Sequence, residues 1–373
     1  TDTRHGLDQG IHEGRLRRGC ASPDFLPIFA TDRRASGPGR FMLTDPFVSR
    51  RSIRMTSVQI RKDLMRESLS GGWFVVDDRY GAWITLRILG PFLASFALAP
   101  LLLAESPWFA TLLYLLIGVY GYKISFILHD CSHGTLFTSK ALNIWLGRFC
   151  GWLVGVNYDV FAATHILHHR YNGTTLDPQH GEVDGLENAS RGRLLNHLLT
   201  PLLGLRTKDI LFGYQGGYLK NAREEELAVA ARSFAVGRET KWLWLSGTLA
   251  AQIALALLVT GFAEIPWAAL IYPLAATTLS LFLARLRTVA EHVREDASEG
   301  WEFSRTHLPN FLDSLILYDA HFNYHFEHHL FPHMPSSRLG SLFETFGCDY
   351  HSERTLGCSM LGTLAGRVRR APT

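Results

Sequence analysis

The chain has little cysteine and no pattern in what it has. Its five cysteines (Cys20, Cys131, Cys150, Cys348 and Cys358) form no C-x-x-C pair, which excludes zinc ribbons, iron–sulfur clusters of ordinary spacing and a disulfide scaffold. Net charge is also scarce. The formal +3 over 373 residues is concentrated at one end, where residues 1–54 hold ten Arg against six Asp and Glu. The rest is slightly negative, offers no basic field to phosphates, and excludes a nucleic-acid partner. No H-E-x-x-H occurs, so the commonest zinc-hydrolase signature is missing. With 47% hydrophobic and 19% charged residues, intrinsic disorder, collagen-like and coiled-coil classes are excluded as well.

The apolar residues that are present are bunched rather than periodic. Ala82–Ala104 contains one charge, Arg87, and Trp108–Leu128 one, Lys123; Trp242–Ala263 and Ile265–Ala284 are each long and apolar, with a single acidic residue, Glu264, between them. At about 1.5 Å per helical residue each can cross a hydrocarbon core of about 30 Å. The turns around Glu105–Pro107 and Glu264–Pro266 contain no Lys or Arg, whereas residues 129–241 contain twelve. The positive-inside rule therefore places both turns outside and the termini and long middle segment in the cytoplasm. Arg87 and Lys123 are expected to snorkel at the inner helix ends. The expected fold is an all-α integral membrane protein, with four transmembrane helices (about 82–104, 108–128, 242–263 and 265–286) in two hairpins. A helical cap on the cytoplasmic side completes the expected fold.

Residues 1–54 are expected to be a disordered extension, with Met55 near the natural start, 55–345 the membrane domain and 346–373 a C-terminal tail. Asn143–Val160 is apolar but interrupted by Arg148, Gly151 and Gly155, and reads as a helix lying in the inner interface.

Histidine is what the chain has in excess, 17 in all. Three clusters stand out: His129 and His133; His165, His168 and His169; His325, His328 and His329. Positions i, i+3 and i+4 share one face of a helix, so each cluster presents its imidazoles in one direction. Eight imidazoles brought together cannot all be protonated, and the neutral ring is the form that binds metals. Eight ligands exceed the four of a zinc site, so two metals with mainly nitrogen ligation fit better. Imidazole suits iron, copper and zinc alike.

These boxes, in this order and with an apolar pair between the second and third, resemble the membrane fatty acid desaturases, a histidine-box di-iron superfamily, over roughly residues 60–345. The resemblance implies two iron ions, dioxygen as the oxidant, and His292, in Arg287-Thr-Val-Ala-Glu-His292, as a ninth ligand beside His129, His133, His165, His168, His169, His325, His328 and His329. Ser304-Arg-Thr306 and Leu330-Phe-Pro332 are similar to accessory features of bacterial members. His321 is a tenth ligand or a hydrogen-bond partner of a backbone carbonyl. Asn323 reaches the metals directly or through water. Asp130, Glu291 and Glu327 adjoin ligands and either orient their ring N–H groups or face solvent.

The resemblance implies oxygen-dependent desaturation of an acyl chain or other lipid. The alternatives are a hydroxylase or ketolase of the same metal type, on a lipid, carotenoid or specialised metabolite, and a zinc-dependent membrane hydrolase or a receptor. No His-Pro-Gly-Gly heme signature and no ferredoxin cysteine set occurs. Electrons are therefore expected from a separate donor, a ferredoxin or a cytochrome b5 with its reductase.

Overall fold

The computed structural model describes residues 57–205, 238–293, 304–350 and 356–371, apart from 175, 180–182, 184, 263 and 358. The expectations for 1–54 and for Met55 lie outside the described residues. The regular elements of the described residues are helices, apart from one two-residue parallel pairing, β1 (Thr306–His307) with β2 (Leu356–Gly357).

Four helices are long and apolar enough to cross a membrane: α2 (Asp78–Glu105), α3 (Phe109–His133), α7 (Arg238–Val259) and α8 (Pro266–His292). Their outward surfaces are apolar, with Leu86, Leu101, Leu249 and Leu270 exposed, as lipid-facing helices require. Helix α2 starts where the Asp77 carboxylate accepts the Arg79 and Tyr80 amides, which satisfies backbone donors that have no partner within the helix. It packs against α3 along its buried side through Ile88, Phe92 and Phe96.

Two helices run past the apolar stretches that announce them. Helix α3 continues five residues beyond Leu128 to His133, and stops at Gly134 in the left-handed conformation (φ 68°). The first histidine box is thus its last turn. Helix α8 continues to His292 and contains a π-helical turn at Ala276–Ser280. The interfacial helix expected over 143–160 is two helices, α4 (Lys140–Val154) and α5 (Tyr158–Tyr171), separated at Gly155 (φ 74°). A Cβ at Gly147 would lie 2.2 Å from the Tyr158 ring and one at Gly151 2.4 Å from the Val156 carbonyl oxygen, so these glycines let the turn close. The chain reverses there and α5 carries the second box.

Lys123 does not snorkel. It is buried and lies 3.1 Å from Asp319, whose other carboxylate oxygen is 3.1 Å from Arg87. The buried Asp319 carboxylate thus pairs with both cations, Lys123 inside the bundle and Arg87 half-exposed at its edge.

The remaining helices are shorter. Helix α1 (Ser57–Gly71) places Leu64 against Phe326, Leu330 and Leu342. After α6 (Arg191–Leu199) and α9 (Phe311–Ile316) come the six-residue α10 (His325–Leu330), which holds the third box, and α11 (Ser336–Tyr350). The boundary expected at 345 falls inside α11. The stretch beyond it supplies β2 and α12 (Met360–Arg370), whose Arg367 is buried and donates to the carbonyls of Val293 and Leu186.

Candidate metal centre

Nine histidines from four helices meet in one buried region. The last turn of α3 supplies His129 and His133, α5 supplies His165, His168 and His169, α8 ends on His292, and α10 supplies His325, His328 and His329. They fall into two groups. In the first, His129, His133, His165, His169 and His328 bring ring nitrogens within 4.8 Å of one another; in the second, His168, His292 and His329 do so, and His292 and His325 do so with a Glu291 oxygen. The groups touch, with the His169 and His329 ring centres 4.3 Å apart.

The residues fit metal ions. His165 Nε2 lies 3.0 Å from His169 Nε2, which lies 2.9 Å from His328 Nε2. In the second group His325 Nε2 is 2.8 Å from His292 Nε2 and 3.1 Å from His329 Nε2. With metal–nitrogen bonds of about 2.1 Å, ligands at right angles are separated by about 3 Å, the spacing seen. His129 Nε2 and both ring nitrogens of His133 are buried without a hydrogen-bond partner, and a cation would satisfy one nitrogen of each ring. Burial first, and neighbouring imidazoles second, hold His165, His169, His325, His328 and His329 far below the usual imidazole range. They are neutral and available as ligands.

Partners behind the rings set their orientation. Asp130 lies 3.1 Å from His129 Nδ1 through one oxygen and accepts the Ser336 hydroxyl at 2.5 Å through the other. Asp177 lies 2.8 Å from His168 Nδ1. Burial works to raise the Asp177 carboxyl, but His168 and the Gln179 amide together bring it below its usual range, so it faces His168 ionised. Asn172 Nδ2 is 3.2 Å from His329 Nδ1. Glu291 is 3.6 Å from His325 Nε2 and paired with Arg287 at 3.2 Å.

Three residues singled out with the boxes are placed elsewhere. The Glu327 carboxylate accepts the Thr306 hydroxyl, whose oxygen accepts the Phe326 amide. The Asn323 side chain donates to the His307 carbonyl at 3.1 Å, and the Asn323 backbone carbonyl accepts the His307 amide at 2.9 Å. Both tie α10 to β1. The His321 ring lies between Tyr80 and Tyr324, with ring centres 6.1 Å from each. His333 comes only within 6.4 Å of the His133 ring.

Asp177, Asn172 and the Arg87–Asp319–Lys123 cluster were not legible beforehand. Asp177 sits in the turn after α5 with no periodic relation to a box, and Asp319 is 196 residues from Lys123.

Comparison with known proteins agrees with this arrangement. The "Sphingolipid delta(4)-desaturase DES1-like" protein of Oryza sativa subsp. japonica is 26% identical over 242 residues, 64% of this chain and 65% of the relative. The "Dihydrorhizobitoxine desaturase" of Bradyrhizobium elkanii is 27% identical over 248 residues, 62% of this chain and 66% of the relative. The chain thus spans just under two thirds of the length of these relatives. The fatty acid desaturase family model matches residues 106–351, from the turn before α3 to the end of α11. With its four apolar helices and clustered histidines, the chain belongs to the membrane fatty acid desaturase family.

Proposed function

We propose that the protein is an oxygen-dependent desaturase that introduces a double bond into an acyl chain, with two iron ions held by the histidines and electrons supplied by a separate protein. The observation that carries this reading is the meeting of nine imidazoles, five and four, in one region, with His129, His165, His168, His292 and His325 lining a common cavity. Bound iron would supply what no side chain can, the reduction of dioxygen coupled to removal of hydrogen from an unactivated carbon. Two hydrogens from the chain, with two electrons and two protons from the donor, convert dioxygen to two waters.

The chain's own residues hold and orient. His129, His133, His165, His169 and His328 would hold one ion, and His168, His292, His325 and His329 the other, with Glu291 at its edge. Asp130 and Asp177 fix the rings of His129 and His168, and Asn323 and Glu327 brace the third box through β1. The cavity between α3, α5 and α8 positions the reacting carbons, and positioning decides between a double bond and an alcohol.

The two relatives are named for the same reaction on different substrates, which supports the reaction class more than any one lipid. The twelve Lys and Arg of residues 129–241 support a cytoplasmic metal side. An acidic ferredoxin, or a cytochrome b5 with its reductase, would dock there.

Expression in a host of known lipid profile, followed by mass spectrometry of its lipids with and without oxygen, tests this reading. An oxygen-dependent product about 2 mass units lighter is expected from loss of two hydrogens. A product heavier by one oxygen would make the protein a hydroxylase. Active protein containing zinc and no iron, indifferent to oxygen, would contradict both.

A further inference from the structure

Helix α12 buries Met360, Leu364 and Arg367. Their spacing of four and three puts them on one helix face, so an arginine takes the last place in an otherwise apolar stripe. A buried guanidinium gives up hydration that a leucine there would not. What it gains is geometry. Arg367 Nη1 donates to the Val293 carbonyl and Nη2 to the Leu186 carbonyl, each at 3.0 Å, and the planar fork holds the two carbonyls at a fixed separation.

Both carbonyls lead to the second histidine group. Val293 follows His292, the last residue of α8, and helix ends fray unless they are held. The other long helix that ends on a ligand, α3, closes with the Gly134 amide on Cys131 and the Thr135 amide on Asp130. Helix α8 instead runs into an extended Val293 (φ −82°, ψ 121°), whose amide returns to Val289 at 3.2 Å and whose carbonyl the guanidinium takes. A cation is also favoured at this end by the helix dipole. On the other arm, the Leu186 amide donates to the Val183 carbonyl at 3.1 Å, and Val183 lines one small cavity with His168, Asp177 and His292. The guanidinium therefore bridges the residue after one ligand and the loop that runs on from Asp177, the partner of another.

Helix α12 is itself anchored at both ends. The Asp313 carboxylate on α9 accepts the Met360 and Leu361 amides at 2.9 and 3.4 Å. Arg191 on α6 donates to the Val368 and Arg369 carbonyls, each at 3.1 Å. These contacts fix where Arg367 stands. The helix lies beyond residue 351, where the family match ends.

We propose that Arg367 is a positioning residue for the second metal ion: by holding Val293 and Leu186 together it sets His292 against His168 before the ion arrives. This deepens the desaturase reading above and rests on the second group being a metal site. Ligand rings must be placed within about 0.5 Å, so slack at the end of α8 is felt directly as lost affinity.

The test uses full-length protein in lipid nanodiscs, loaded with enriched iron and titrated with a chelator. Mössbauer spectra follow each ion separately, and no turnover is needed. In Arg367→Met the second ion is expected to be held about tenfold more weakly, while the first is held as in the unaltered protein. Arg367→Lys, which keeps the charge but not the fork, is expected to fall between the two. Arg191→Met removes the bonds to Val368 and Arg369 but leaves Val293 and Leu186 held, and is expected to leave the affinity for both ions unchanged even where it lowers the unfolding temperature. Equal weakening of both ions in Arg367→Met, or the same weakening in Arg191→Met, would reduce Arg367 to a packing residue and overturn the proposal. So would a second ion held at full strength. Should Arg367→Met fail to accumulate, Arg367→Lys decides alone, and a second ion unaffected there overturns the proposal equally. If the unaltered protein holds a single kind of iron, the two-site reading itself fails, a result distinct from all of these.

Discussion

The two histidine groups are built from one residue type and held in two ways. In the first, aromatic packing does most of the holding. Phe161 stacks on His165 with ring centres 5.5 Å apart, and Phe322 meets His129 edge-on at 4.5 Å. Asp130 grips His129, but His133 has no hydrogen bond at either nitrogen. In the second, polar partners stand behind or beside the rings: Asp177 at His168, Asn172 at His329 and Glu291 at His325. Partners of that kind fix ring orientation before an ion arrives. The second group is therefore pre-organised, whereas the first is completed by its ion, and His133 is the ring that depends on it most.

The severest way to break this contrast is to delete one ligand from each group. His133→Ala and His168→Ala are each expected to lower turnover by on the order of 100-fold or more, beyond the effect of losing a hydrogen-bond partner behind a ligand, while the protein still inserts in membranes. Activity assays on membrane fractions check this; substantial activity in either variant would remove that histidine from the centre.

Outside both groups, Asp319→Leu strips Arg87 and buried Lys123 of their counter-ion. A loss of about 3–5 kcal/mol is expected, seen as a lower unfolding temperature in detergent, with recovery when Lys123→Met is added. A smaller effect sharpens the contrast itself. Asp177→Asn is expected to weaken metal binding about 10–100-fold in the second group alone, and Asp130→Asn to do the same in the first, read by metal competition with a chelator.

A further effect concerns a histidine that belongs to neither group. Burial, aided by Arg305, lowers the His307 ring to about 3, so it stays neutral in the folded protein while its unfolded form takes up a proton near pH 6.5. Stability from this residue is complete above about pH 6.5 and falls as pH drops toward 3. The nine clustered rings are expected to lose their acid sensitivity to bound metal, but His307 keeps it. His307→Leu should flatten the stability profile between about pH 6.5 and 4 even in metal-loaded protein, measured by thermal unfolding.

What the sequence made legible follows from range. The boxes are local, repeating at one helical turn, so the faces of α5 and α10 could be read from spacing alone. The four apolar stretches were equally plain, because length and lack of charge suffice to mark a span. Helix ends were less so: the expected spans stop at 128 and 286, and the folded chain shows α3 and α8 continuing to His133 and His292. Asp177, Asn172 and Asp319 were out of reach, since each meets its partner through tertiary packing. Lys123 misled for the same reason. Its place near a helix end suggests snorkelling, and nothing near it in sequence announces Asp319.

The central claim is that the nine histidines form two separate metal sites. Its most direct test is the Mössbauer spectrum and metal content of protein loaded with enriched iron, beside His133→Ala and His168→Ala. Two inequivalent irons in about equal amount are expected, with each variant losing a different one. A single kind of iron, the same signal lost from both variants, or a centre filled by zinc would contradict it.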